Sequence, residues 1–262
     1  STMWRIFRWN QSINDYDEFP ESDFIPGNAF WLIHKEGKPF DIEDALSVQS
    51  SSDFVITLQA NSWTQIGNPF AFPVDWSDIG SSPLVDLPIR WNPDSLDYEL
   101  NQPILQPWDG YWVRNPLNQV VTLTVPPLLS DGENILPKES FDFQNGEFVL
   151  QIRSNLDDTK IRDNQNFVGM VGEQNIIYSR NISEPPPISN DLRLSIIDEA
   201  TLYAQNTVRV NTEGAVWNLK LRTSRHNESV YLTFDRKNNL PAGFNTYLLD
   251  LDKQVTIPIN DN

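Results

Sequence analysis

Apolar and polar residues alternate with a period of two in nine short stretches of the chain: 54–59 (FVITLQ), 120–125 (VVTLTV), 147–154, 192–197, 207–211, 216–223, 229–234, 246–251 and 254–259. Each is rich in β-branched and aromatic residues and is bounded by Gly, Pro, Asn or Asp, the pattern of half-buried strands in antiparallel sandwiches. Helical periodicity is nearly missing. Only "DIEDALSV" (41–48) could form two turns capped by Asp41, and it is short enough to be an irregular strand instead. The expectation is an all-β chain.

The first half repeats itself. "RWNQSINDY" (8–16) returns as "RWNPDSLDY" (90–98) at an offset of 82, and "PGNAFWLI" (26–33) returns as "PWDGYWVR" (107–114) at an offset of 81. Trp9 is thereby matched to Trp91, Trp31 to Trp112, and Phe30 to Tyr111. Residues 3–50 and 84–127 read as two copies of one hairpin-like unit separated by a single indel. The two matched tryptophans, Trp9 and Trp91, are expected at equivalent inward positions.

Between the copies lies "WTQIGNPFAFPVDW" (63–76), four aromatics broken by Gly67, Pro69 and Pro73. Those breaks forbid regular ladder pairing, and Asn68-Pro69 is a turn signal. Two roles fit: a bent crossover whose aromatics fill the space between sheets, or a flat platform for a ligand. Large aromatics in all-β folds are mostly buried, which favours the crossover. The Pro-, Gly- and charge-rich stretch 126–140 has the composition of a connector and separates two expected β-sandwich domains of immunoglobulin or jelly-roll type, 1–130 and 138–262.

Composition narrows the function. Nine Trp, fourteen Phe and seven Tyr among 262 residues exclude a disordered chain. A formal net charge of −17 repels nucleic acid and anionic membrane surfaces, and no run of 18 apolar residues offers a membrane-inserting helix. Cysteine is absent, which removes thiol catalysis, thiolate metal sites and disulfides together. The chain opens in the strand-like "WRIFRW", which reads as a piece of a longer protein.

The succession "WRIFRWN…PGNAFWLI…FVITL…SWTQIGNPFAFPVDW…GYWV" resembles a β-rich module near the C-terminal end of large exported proteins of Bacteroidetes-like bacteria. The second half, with "DNQNFVGM", "EPPP" and "LPAGFNTYLLDLDKQVTIPI", is similar to the sandwich that precedes an immunoglobulin-like or secretion-sorting tail. The resemblance implies an extracellular or cell-surface location and an architecture shared by parents of many activities. It implies no particular chemistry.

Residue chemistry offers few candidates. His34 sits where a strand should end and His226 lies in a hairpin turn, neither in a nucleophile-elbow or zinc-helix context. Asp15 and Asp97 recur in both copies, so they are more simply turn-formers than a catalytic pair of the kind a glycoside hydrolase uses. The acidic stretch 155–166 gathers Asp157, Asp158, Asp163, Asn164 and Asn166 as oxygen ligands of a candidate Ca²⁺ loop, although it lacks the Gly and Glu of an EF-hand. Trp108 stands where the first copy has Gly27, which places it near the surface. With Asp109 and Tyr111 it forms a candidate platform for a sugar ring or a partner protein.

The expected function is a non-catalytic accessory module of a secreted or cell-surface protein that spaces or presents a neighbouring domain. A carbohydrate-binding module is the chief alternative, and a carboxylate-based glycoside hydrolase fragment comes third.

Overall fold

A computed structural model describes residues 4–19, 24–36, 47–80, 85–132, 142–157, 160–189 and 191–260. The chain is all-β and divides into two units, Ser1–Asn92 with Tyr98–Lys138, and Pro93–Asp97 with Glu139–Asn262. No helix among the described residues is long and apolar enough to cross a membrane. Most of the candidate helix at 41–48 lies outside the described residues.

The first unit contains β1 (Trp4–Asn10), β2 (Asp15–Glu18), β3 (Trp31–His34), β4 (Phe54–Leu58), β5 (Ser62–Gly67), β6 (Val74–Asp75), β7 (Ile89–Asn92), β8 (Asp97–Glu99), β9 (Ile104–Leu105), β10 (Gly110–Asn115) and β11 (Val121–Val125). The repeat becomes two sheets of matched order, β2-β1-β3 and β8-β7-β10, the second extended by β5. Their registers match. Phe7 faces Trp31 across β1 and β3, as Ile89 faces Trp112 across β7 and β10. Each hairpin turn carries a left-handed residue at the same place, Asn14 (φ 53°) and Leu96 (φ 52°).

Aromatic packing reproduces the repeat. Trp9 meets Tyr16 edge-to-face at 5.1 Å and 72°, and Trp91 meets Tyr98 at 5.1 Å and 73°. The copies then interlock reciprocally: Trp9 packs on Trp112 (5.6 Å) and Trp91 packs on Trp31 (5.4 Å). Reciprocal contact between equivalent positions is what a local two-fold relation produces. Trp9 is buried and Trp91 half-buried, so both face inward as the repeat predicts.

The segment 63–76 forms β5, a bend and β6. The Asn68 side chain holds the bend, accepting from Phe70 N (2.9 Å) and donating to Phe72 O (2.8 Å) and Leu105 O (2.7 Å). Phe70 and Trp76 are buried in a cluster with Ile66, Val74, Leu105 and Leu123. These aromatics are core.

The second unit contains β12 (Phe148–Leu156), β13 (Arg162–Val171), the single turn α1 (Ile176–Ser179), β14 (Ile182–Ser183), β15 (Arg193–Asp198), β16 (Thr201–Arg209), β17 (Asn218–Arg222), β18 (Val230–Arg236), β19 (Tyr247–Asp250) and β20 (Val255–Pro258). One sheet runs β17-β15-β16-β13-β12-β18 with β14 beside β16, and β19 and β20 form a separate hairpin.

The sheet departs from pure antiparallel pairing, because β13 and β16 are parallel. A parallel pair needs a long crossover, and residues 172–200 supply it. Part of that crossover lies over the sheet, where Gln205 Nε2 donates to Ile177 O (2.8 Å) and Arg180 O (2.6 Å). Val149 and Gln151 are therefore buried along with Phe148, Leu150 and Ile152, although alternation alone would leave them exposed.

Candidate functional site

Trp108 is the most exposed large aromatic of the described residues at 85%, as expected from its match to Gly27. Both positions are left-handed, with φ 78° at Gly27 and 67° at Trp108. At Gly27 a Cβ would overlap the Phe54 ring, so only glycine fits there. Trp108 instead projects into solvent from a conformation that a bulky side chain seldom adopts.

The turn is braced beside it. Arg90 Nη1 donates to Asp109 Oδ2 (2.7 Å), and its Nη2 and Nε donate to Glu99 Oε2 (2.7 and 3.0 Å). Burial works against the Glu99 charge, but donation from Asn92 and Arg90 holds the carboxyl below its usual range. Trp108→Gly is expected to stabilise the protein by about 1 kcal/mol, because it relieves a left-handed strain of that order while removing almost no buried area. Denaturant titration checks this. A loss of stability would mean that the indole packs against the fold.

Tyr111 does not join this platform. It is 2% exposed, accepts from Gln106 N (2.7 Å) and donates to Ile104 O (3.2 Å), and burial pushes its hydroxyl pKa upward. Its place on β10 turns it inward into the core cluster. Trp108 and Asp109 alone remain at the surface turn.

The stretch 155–166 is not one loop, because β12 runs to Leu156 and β13 begins at Arg162. Asp163 points into the sheet, where Oδ1 accepts from Asn166 Nδ2 (2.8 Å) and Oδ2 from Leu194 N (2.7 Å). Asn166 is buried, Asn164 half-buried and Asp157 exposed; Asp158 lies outside the described residues. Among the described residues no group of three or more His, Asp or Glu side chains is placed to hold a metal ion. His34 closes β3, His226 is exposed, and Asp15 and Asp97 open the second strands of the matched hairpins.

The second unit also contains a buried ion pair that alternation does not reveal. Glu184, just after β14, accepts from Arg193 Nε and from Ser195 Oγ on β15, with only 10% of its side chain exposed. Burial pushes the Glu184 carboxyl up to about 7 against the pull of Arg193, and burial also raises Asp163.

Both folded-state values lie above the unfolded ones. This contribution to stability is therefore fully present below about 4.5 and is lost as pH rises through about 7. Thermal melts should show greater stability at pH 5 than at pH 8, with Glu184 supplying about 3 kcal/mol of the difference. Glu184→Gln should remove that part. A pH dependence identical in the variant would show that Glu184 does not titrate this way.

Compared with protein-family models, with curated proteins and with solved structures, the chain matches none.

Proposed function

We propose that this chain is a non-catalytic accessory region of a secreted or cell-surface bacterial protein, where it spaces, stabilises or presents a neighbouring domain. The observation that carries this reading is the β19–β20 hairpin. Tyr247 and Leu249 on one face, and Val255 and Ile257 on the other, are each between 44% and 55% exposed. Apolar area of this kind on a regular hairpin suits contact with a neighbouring domain. The aromatics of the first unit support the same reading, since they pack on one another within the copies, between them (Trp9 on Trp112, Trp31 on Trp91) and in the core.

The test is the melting temperature of the adjoining domain in the parent chain, with this region intact and with Tyr247→Ser and Leu249→Ser. A drop of several degrees is expected. An unchanged melting temperature counts against the reading, and hydrolysis of peptide or glycan libraries abolished by one carboxylate substitution overturns it. A second reading, carbohydrate or partner-protein contact through Trp108 and Asp109, is favoured by the strained and exposed Trp108.

A further inference from the structure

The two copies of the repeat differ in how they treat one arginine. In the second copy Arg90 is held between two carboxylates, Glu99 opposite it in the hairpin and Asp109 on the turn before β10. In the first copy the matched residues are Arg8, Asp17 and Asn28. Asp17 faces Arg8 across the hairpin, but its carboxylate is one methylene shorter than that of Glu99 and accepts from Asn10 Nδ2 instead (2.8 Å). Asn28 brings no charge where Asp109 brings one. Among the described residues the Arg8 guanidinium has no hydrogen-bond or ion-pair partner, and only its backbone pairs with β2.

Arg8 and Asn28 line a cleft of about 710 Å³ in the first unit, bounded by the end of β1, its turn and the edge of β5. The rest of the wall is dominated by amides and hydroxyls. Gln11 Nε2 is tied to Thr64 Oγ1 (2.6 Å), which holds its carbonyl in place. Gln65 Oε1 accepts from Trp9 N (2.8 Å), and the NH₂ of Gln65 donates to no described residue. Trp9 lines the same cleft, and its buried indole N–H has no acceptor among the described residues.

We infer that this cleft binds a short acidic oligosaccharide, with a uronate carboxylate on Arg8 in the place that Asp109 takes beside Arg90. Amides present a donor and an acceptor at fixed spacing, which matches the vicinal hydroxyls of a sugar. An arginine fork matches a carboxylate. The site has room for one such ligand charge, because Arg90 already tolerates two carboxylates around it. With a net charge of −17 on the chain, a short oligomer is favoured over an extended polyanion. This site is separate from Trp108, and its occupancy does not depend on the spacing role.

The test is calorimetric titration of the full chain at low ionic strength with a galacturonic acid trimer, a neutral cellotriose and an acidic tripeptide. The uronate trimer should bind at least about tenfold more tightly than the neutral one, a charge-assisted pair accounting for the difference. Arg8→Gln should reduce the uronate trimer to the neutral level. Asn28→Asp, which installs the carboxylate of the second copy beside Arg8, should do the same while leaving the circular dichroism spectrum unchanged, and it decides the question if Arg8→Gln fails to fold. The inference is overturned by no binding of the uronate trimer, by equal binding of the neutral trimer, by preference for the tripeptide, or by binding indifferent to Asn28→Asp.

Discussion

Trp112→Ala should destabilise the first unit by about 3–5 kcal/mol, the range for removing a large buried aromatic. Trp112 is 2% exposed and meets three aromatic rings edge-to-face: Trp9 at 5.6 Å, Trp63 at 6.1 Å and Tyr16 at 6.5 Å. Each such pair contributes about 0.5–1.5 kcal/mol beyond the area it buries. The matched Trp31 is only half-buried, with Trp91 at 5.4 Å and Tyr16 accepting from its Nε1 (3.2 Å). Trp31→Ala should therefore cost less than Trp112→Ala, although the two residues are equivalent in the repeat. Urea denaturation followed by fluorescence measures both. A Trp112→Ala loss under about 1 kcal/mol would mean that the interlock does not hold the unit together.

Arg193→Leu should cost the second unit about 3–5 kcal/mol at pH 8, because it leaves the Glu184 carboxylate buried without its cation. The side chains of Arg193 and Glu184 are 15% and 10% exposed, so solvent screens the pair little. At pH 5 the penalty should shrink, since Glu184, already pushed up to about 7, then takes a proton. Adding Glu184→Gln to Arg193→Leu should recover part of the loss at pH 8, as removing both charges relieves what removing one creates. Melting curves of the two single variants and the double variant at both pH values check this. Equal losses for Arg193→Leu at pH 5 and pH 8 would contradict the buried-carboxylate account.

Local pattern was enough for several features. Alternation identified β4, β11, β12, β15 and β17 to β20 and the end of β16, though not β13, because a pleated strand turns successive side chains to opposite faces. The matched "RWN…DY" stretches predicted equivalent hairpins, since the same turn and register follow from the same residues, and they formed with matching Trp–Tyr geometry. Gly67, Asn68, Pro69 and Pro73 specified a bend, and the Asn68 side chain closes it. The match of Trp108 to Gly27 also indicated exposure, because one position cannot hold both residues in a packed core.

Tertiary structure decided the rest. Alternation says that Tyr111 and Trp112 face opposite ways, but both sides of β10 are covered, so both are buried and the platform loses Tyr111. Asp163 looks like a solvated loop acid because its neighbours are polar. Its carboxylate is turned inward because Leu194 N and Asn166, the first of them thirty-one residues away, meet it. The Glu184–Arg193 pair and the parallel β13–β16 register depend on a crossover that leaves no periodic trace in the residues it joins. The Arg8 cleft was hidden for the same reason. The repeat shows that Asn28 replaces Asp109, but only the folded hairpins and the edge of β5 bring Arg8, Trp9, Asn28 and Gln65 to one wall, because side chains fifty-six residues apart become neighbours through packing and not through spacing.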